Sequence, residues 1–209
     1  MNSDKYNMFI MVTEGGQLFY EDRFQGFKPA NEVDYVSRIL GNYKFAKRGP
    51  IETDFEHKQP IGYAMIVNPS LKKIFAYQRS QSGGEKRLHD KWSWGIGGHI
   101  ERIEEQHENP IEASLMRELN EEIKMNGRIK KIEVLGYLND DSDEVGKVHF
   151  GILYVIETDS TEIKPGDPEI KVGELKSINE LEKICASTEF VVEEWSKIAL
   201  GPLKRYLGK

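Results

Sequence analysis

Three glutamates close together, Glu118, Glu121 and Glu122, constrain this 209-residue chain more than any other feature. They stand in the run Arg117-Glu118-Leu119-Asn120-Glu121-Glu122. Upstream, a glycine pair, Gly97-Gly98, closes a strand-like segment, and a fourth glutamate, Glu104, follows six positions after Gly98. Ile111, Leu115, Leu119 and Ile123 recur every fourth residue, which predicts a helix with one buried stripe. Asn109-Pro110 is a good start for that helix, because Asn is a favoured N-cap and Pro fits the first helical position. Asn126-Gly127 is the expected stop, since either residue tolerates the left-handed conformation. At ~100° per residue, Glu118 and Glu122 fall about 40° apart, with Glu121 on the outer side of Glu118. Carboxylates aimed at one place repel each other unless a cation lies among them, and their oxygens suit a hard divalent ion. Arg117 stands four residues before Glu121 and is also placed to pair with Glu104, tying the loop to the helix.

An isolated E-x-x-E-E most often marks nothing more than the solvated face of a helix. Here the triplet follows an arginine, a glycine-ended strand and an upstream glutamate, and that combination favours a site. The rest of the chain reads as a globular protein, with 31% charged and 10% aromatic residues. A net charge of -6 argues against bulk electrostatic attraction to nucleic acid. One cysteine, Cys185, cannot close an internal disulfide, so a reducing compartment is expected. The N-terminus carries no basic-then-apolar signal pattern, and Met8 to Val12 is too short to span a bilayer. A soluble cytoplasmic protein without membrane attachment is the expectation.

Residues 1–58 read as a small α+β extension packed on a main domain of residues 59–209. In the extension, Met8 to Thr13 and Gln17 to Tyr20 predict a hairpin around Gly15-Gly16. Glu32 to Leu40 predicts a helix with Val33, Val36, Ile39 and Leu40 on one face, stopped by Gly41-Asn42. Its expected work is structural, substrate-shaping or the formation of a homodimer. In the main domain, Ile61 to Val67 and Lys72 to Gln78 predict strands flanking the turn Asn68-Pro69-Ser70. Further strands are expected at Trp92 to Ile100, Ile129 to Leu138 and Lys147 to Glu157. Two helices follow, from Asn179 to Ala186 and from about Glu189 to Leu207. The second turns Phe190, Val191, Trp195, Ile198 and Leu203 to the core and is bent or broken at Gly201-Pro202. This order implies a mixed sheet clasped between helices.

Other residues carry weaker signals. Arg79 ends a strand and its fork suits phosphate oxygens, although an ordinary surface arginine is as good a reading. Arg87 lies in a loop-type segment, Gly84 to His89. Trp92 and Trp94 alternate on one strand and offer rings to a base, against a default of simple packing. His99 follows the glycine pair, where substrate contact or loop hydrogen bonding is favoured over a metal role. The acidic run Asn139 to Glu144 fails as a calcium loop, because Glu144 and Phe150 stand where glycine and glutamate are needed, and is expected to be a solvated hairpin tip. No phosphate-binding G-x-x-x-x-G-K-S/T occurs, so P-loop chemistry has no support.

Together the residues resemble the Nudix hydrolase signature, G-x5-E-x7-R-E-U-x-E-E-x-G-U with U aliphatic. Gly98, Glu104, Arg117, Glu118, Leu119, Glu121 and Glu122 fill it, and Met125 takes the last apolar place. Twelve residues rather than seven separate Glu104 from Arg117, an insertion that falls in the loop Glu105 to Asn109. Lys124 stands where the family has glycine, with Gly127 placed to end a longer helix. The resemblance covers about residues 60–180 and implies a Nudix-type α/β/α sandwich. It also implies Mg²⁺- or Mn²⁺-dependent hydrolysis of a diphosphate bond in a nucleoside diphosphate-linked substrate, by water attack on phosphorus. The implied ligands are Glu118, Glu121 and Glu122 with a backbone carbonyl of the Gly97-Gly98 pair, Gly98 above all. Glu118 or Glu121 is the implied base, Glu104 and Arg117 support the site, and Glu169 is a candidate from a later loop. Arg79, Trp94 and His99 are candidate substrate contacts. Two alternatives stand beside this reading: an enzyme acting on a non-nucleoside diphosphate or an isoprenoid-type isomerase, and a non-catalytic Nudix-fold binding or regulatory module.

Overall fold

In the computed structural model, which describes residues 3–81 and 88–208, the elements follow in this order. The N-terminal part runs α1 (Ser3–Asn7), β1 (Phe9–Glu14), α2 (Gly15–Leu18), β2 (Gly26–Pro29), α3 (Tyr35–Asn42), β3 (Lys44–Lys47) and α4 (Arg48–Ile51). Next come β4 (His57–Asn68), β5 (Lys73–Arg79), β6 (Trp92–Ser93), a 3₁₀ turn (Arg102–Gln106), α5 (Pro110–Glu122), β7 (Ile123–Met125) and β8 (Ile129–Asn139). The chain ends with α6 (Glu144–Val148), β9 (His149–Thr158), β10 (Ile163–Pro165), β11 (Ile170–Ser177), α7 (Ile178–Ala186) and α8 (Glu194–Tyr206). Arg87 lies outside the described residues. The fold is mixed α/β around a large sheet with the path β11-β5-β4-β9-β8-β2, on which β6 joins β5, β1 joins β4 and β3 joins β1. Among the described residues no helix is long and apolar enough to cross a membrane.

Two compact units share the chain, residues 1–63, 97–116 and 135–153 in the first and residues 64–96, 117–134 and 154–209 in the second. In the first, β1 pairs antiparallel with β3, Ile10 opposite Ala46, and meets β4 at Thr13 and Lys58. β1 therefore does not fold back on Gln17 to Tyr20. Gly15-Gly16 opens the short helix α2 instead of a hairpin turn, anchored by Gly15 N donating to Glu56 O at 2.8 Å. Helix α3 starts at Tyr35, three residues later than expected, because Asp34 caps it by accepting from Ser37 N at 2.9 Å. Phe19, Phe24 and Tyr35 pack edge-on with Tyr137 and Phe150, the Tyr35–Tyr137 centroids 4.9 Å apart. N-terminal aromatics and two sheet strands thus build one core.

The acidic run is a solvated tip only at Ser142, Asp143 and Glu144, which are exposed. Asn139 and Asp140 are buried, and Asp141 receives the Nζ of the buried Lys58 at 2.7 Å. Lys58 also donates to Gly146 O at 2.9 Å and His149 O at 3.1 Å, so its charge is fully satisfied where burial alone would expel it. The reason the expectation failed is this cation, 83 residues away in sequence.

In the second unit, β4 and β5 form the expected hairpin, with Val67 opposite Ile74. Strand β11 runs antiparallel on β5, Leu175 opposite Phe75. Of the expected strand at 92–100, β6 keeps only two residues and pairs with β5, while Ile96 makes an isolated bridge to Ala64. A full capping box of Ser177 and Glu180 starts α7. Helix α8 begins only at Glu194, because Val191 O is taken by Trp92 N and Trp92 O by Glu193 N, which holds that stretch extended. Phe190 and Val191 are consequently exposed rather than core-facing. Pro202 lies inside α8 without breaking it.

In the first unit, the stripe of α5 meets β4 at Gly62, where an added Cβ would lie 3.1 Å from Leu115 Cδ1. Leu115 is 1% exposed. Leu115→Ala is expected to lower unfolding free energy by about 2–5 kcal/mol, through lost burial and the cavity left behind, at unchanged denaturant m-value. A shift under about 1 kcal/mol in a urea titration would contradict this packing.

Candidate active site

Helix α5 starts as its sequence predicts. Asn109 Oδ1 accepts from Ile111 N at 3.2 Å and Glu112 N at 3.3 Å, and Pro110 occupies the first helical position. Ile111, Leu115, Leu119 and Ile123 are all buried. The stop differs from expectation: the helix ends at Glu122, and the next three residues become β7, paired with β10 through Ile163–Met125, Lys164–Lys124 and Pro165–Ile123. Asn126-Gly127 is a clasp rather than a helix stop. Asn126 Oδ1 accepts from Ser160 Oγ at 2.7 Å and from Thr161 N and Glu162 N at 3.1 Å. A Cβ on Gly127 would sit 2.4 Å from Ser160 N. Lys124 can replace the signature glycine because its position is a strand, which needs no left-handed residue.

This early ending places Glu121 and Glu122 in the last helical turn. Glu122 O accepts from Gly166 N at 2.7 Å, and a side chain at 166 would lie 2.9 Å from Glu121 O. The loop Gly166–Glu169 is thereby docked on the end of α5. Its other side is tied to the residue after β5: Ser80 N donates to Glu169 O and Ser80 Oγ to Pro168 O, both at 2.8 Å. Within it, Asp167 Oδ1 accepts from Glu169 N at 2.6 Å.

Electrostatics single out Glu122. Its pKa is raised from 4.5 to about 8, first by burial, and the charges of Glu118, Glu169 and Asp167 push the same way while Arg79 opposes them. Arg79 donates from Nε to Glu193 Oε1 at 2.6 Å and lies 5.5 Å from the Tyr77 ring centroid. Burial works against its charge, but Tyr77, Glu193 and Glu122 hold it above its ordinary pKa. Arg117 bridges Glu118 Oε1 at 2.8 Å and Glu121 Oε2 at 3.1 Å, the second being the expected i,i+4 pair. The second unit therefore brings Glu118, Glu121, Glu122, Asp167, Glu169, Arg79 and Arg117 into one electrostatic group. Asp167 and Glu193 were not singled out as site residues by the sequence, since Glu193 lies 114 residues from Arg79 with no local pattern to mark it.

Trp94 is 0% exposed, its backbone N–H donating to Ser196 Oγ at 3.1 Å. Its ring offers no accessible face to a base, which corrects that expectation. In the first unit, Gly97 is packed so closely that a Cβ would meet Gly62 O at 2.1 Å, which leaves room for no other residue. Gly98 follows it, between the isolated bridges Ala64–Ile96 and Ile61–His99. Glu104 is buried on the 3₁₀ turn, its N donating to Glu101 O at 3.1 Å. His99 engages in hydrogen bonding: its Nε2 lies 2.7 Å from Gln59 Oε1 and 3.2 Å from His149 Nε2. Burial pulls the pKa of both histidines below the ordinary value. A surface cleft of about 370 Å³, lined by Tyr43, Lys44, Phe45, Arg102 and Glu105, contains none of the carboxylates of α5.

The donors of α5 and its docked loop fit a hard divalent ion: they are carboxylate oxygens, and one is kept from ionising first by burial and then by its neighbours' negative charge. Among the described residues no three His, Cys, Asp or Glu side chains already stand at ion-holding geometry. Glu118 and Glu121 would exchange Arg117 for the metal.

The raised pKa of Glu122 has a measurable consequence in metal-free protein. Below about pH 4.5 folded and unfolded chains both hold this proton; between 4.5 and about 8 only the folded one does. Stability contributed by Glu122 is therefore full below pH 4.5 and falls as pH rises through about 8. In chelator, urea midpoints from pH 5 to 9 should decline more steeply for the wild type than for Glu122→Gln. Parallel profiles would contradict the burial of this carboxyl among like charges.

Comparison with known proteins agrees with this geometry. The NUDIX domain family model matches residues 58–194. Protein YmaB of Bacillus subtilis (strain 168) is 33% identical over 208 residues, covering 90% of this chain and 98% of that protein. Among solved structures, Tm1382, described as a Nudix hydrolase, superposes with a TM-score of 0.76 at 28% identity, covering 95% of this chain and 99% of that one. The NUDIX domain of Shewanella oneidensis NrtR, solved with ADP ribose, shares the fold at 14% identity and a TM-score of 0.54, over 72% of this chain and 88% of that one. With the family match over residues 58–194 and the likeness to Tm1382 in agreement, the chain belongs to the Nudix family and is a Nudix hydrolase.

Proposed function

We propose that this Nudix hydrolase cleaves the diphosphate bond of a nucleoside diphosphate-linked substrate by water attack on phosphorus, using Mg²⁺ or Mn²⁺ held by Glu118, Glu121 and Glu122. The observation that carries this reading is Glu122, whose proton is retained because burial and the charges of Glu118, Glu169 and Asp167 disfavour a further negative charge. A diphosphate adds more negative charge, so catalysis there requires cations. A divalent ion held by these carboxylates would supply positive charge to offset that on the phosphoryl oxygens. A backbone carbonyl of the Gly97-Gly98 pair, Gly98 in particular, completes the proposed ligand set.

The remaining roles follow from the residues' settings. Arg79 keeps its terminal nitrogens for phosphate, since Glu193 engages its Nε. Arg117 holds Glu118 and Glu121 in place through its two ion pairs. Glu118 or Glu121 takes the proton of the attacking water. Glu169, on the loop docked against the end of α5, is the carboxylate nearest in design to a second base or ligand. Glu104, buried on the 3₁₀ turn, is assigned a supporting role.

The test is release of phosphorylated product from a panel including ADP-ribose, with Mg²⁺, with Mn²⁺ and with chelator. Glu122→Gln should cut turnover by about 10³-fold or more while far-UV circular dichroism is unchanged, the loss typical of a removed catalytic charge. Full activity in that variant sinks the ligand assignment. Tight binding of a nucleotide diphosphate with no turnover by the wild type would favour a binding module instead.

A further inference from the structure

Three polar atoms converge in the first unit on residues that the hydrolytic reading does not use as ligands. His99 Nε2 and His149 Nε2 are 3.2 Å apart, and Gln59 Oε1 lies 2.7 Å from His99 Nε2. Each is held from behind. His149 Nδ1 is 2.7 Å from Val145 O, so Nδ1 carries the proton and Nε2 presents a lone pair toward His99. Gln59 is fully buried, and its Nε2 reaches Ile51 O at 3.4 Å, which turns its carbonyl oxygen toward the imidazole. The backbone of His99 is fixed as well, by the bridge to Ile61 and by Ser114 Oγ donating to His99 O at 3.3 Å.

We propose that Gln59, His99 and His149 form a binding site for a borderline divalent ion of the Zn²⁺ type, built from side chains other than the carboxylates of α5. Zinc binds imidazole nitrogen at about 2.0–2.1 Å, and two such bonds to atoms 3.2 Å apart enclose an angle of about 100°, near the tetrahedral value. The amide oxygen supplies a third donor on the same side, and water completes the shell. A ligating histidine usually donates its other ring N–H to a carbonyl or carboxylate, which is how His149 is bound to Val145 O. The ion takes the place of the His99 Nε2 proton, which moves to Nδ1, so the imidazole stays neutral and the site gains the ion's two positive charges. Of the nearby cations, Arg48 is paired with Glu52 at 2.7 Å and Lys58 with Asp141 at 2.7 Å, while Lys5 also acts on His99. Bound there, the ion would staple the start of β4, the start of β9 and the segment after the glycine pair.

Imidazole donors select Zn²⁺, Co²⁺ and Ni²⁺ over Mg²⁺, so the site can be read with oxygen-donor sites saturated. Chelator-treated full-length protein in excess Mg²⁺ is titrated with Co²⁺ by visible absorption and with Zn²⁺ by calorimetry. One equivalent of each should bind, Co²⁺ giving the intense bands of low-coordinate nitrogen ligation. His149→Ala should weaken Zn²⁺ binding by about tenfold or more, and Gln59→Glu should tighten it by about tenfold. Glu122→Gln should leave it unchanged, which separates this site from the proposed catalytic one. The proposal is overturned if wild type shows no stoichiometric Co²⁺ spectrum, or if Glu122→Gln abolishes it. Unaltered affinity in Gln59→Glu overturns it too, and misfolding cannot imitate the expected gain.

Discussion

Negative charge at the wrong end of a helix is the constraint around which this molecule is arranged. The C-terminal end of a helix carries a partial negative charge and favours cations. Helix α5 has no basic residue in its last turn and ends instead on Glu121 and Glu122. Local offsets come from Arg117, one turn back and shared between Glu118 and Glu121, and from Lys124 Nζ, which donates to Asn120 O at 3.4 Å. Glu122 is left to Arg79 from β5, and Arg79 is in turn held by Glu193. The end of the helix is therefore an electrostatic deficit that the fold maintains by backbone means: β7 begins at once, and Gly166 binds the last carbonyl.

How much of this was legible in the sequence depends on how far away the deciding partner lies. The start of α5, its buried stripe and the Arg117–Glu121 pair involve residues within four positions of each other, and all appear as expected. The end of α5 is set by β10, some forty residues on, and the helix-stopping Asn126-Gly127 has other work because Ser160 comes close to it. The same applies to Gly15-Gly16, which looks like a hairpin turn until Glu56 claims the Gly15 amide. Phe190 and Val191 match a helical face by spacing, yet pairing with Trp92 holds the segment extended and leaves both exposed. Periodicity reports local geometry well; it carries no information about which backbone amides a distant strand will take.

The site was legible in the same graded way. Its carboxylates are written as a pattern because they share a helix, and helical geometry converts spacing into proximity. Arg79 was visible as a cation at a strand end, but its orientation comes from Glu193, with no sequence signal to connect them. Trp94 shows the converse, a residue type suited to stacking on bases that packing has taken into the core. Within the acidic run, Asp141 likewise binds the buried Lys58 while residues 142–144 stay exposed.

Donor chemistry distinguishes the two cation-binding arrangements more sharply than their positions do. The carboxylates of α5 repel each other, so their affinity for an ion comes from relieved charge and grows with the ion's hardness and the substrate's negative charge. Gln59, His99 and His149 are neutral and gain only from coordination, so what they can hold is set by the softness of the ion and by the 3.2 Å between two nitrogens. Mg²⁺ satisfies the first requirement and fails the second. Because the imidazoles are fixed by Val145, Ile61 and Ser114 while the carboxylates are held by exchangeable arginines, the histidine site is the more rigid before any ion arrives. Rigid nitrogen donors favour a resident ion, and mutually repelling oxygen donors favour one that comes with substrate. Charge would therefore select the ion at the proposed carboxylate site, and geometry at the proposed histidine site.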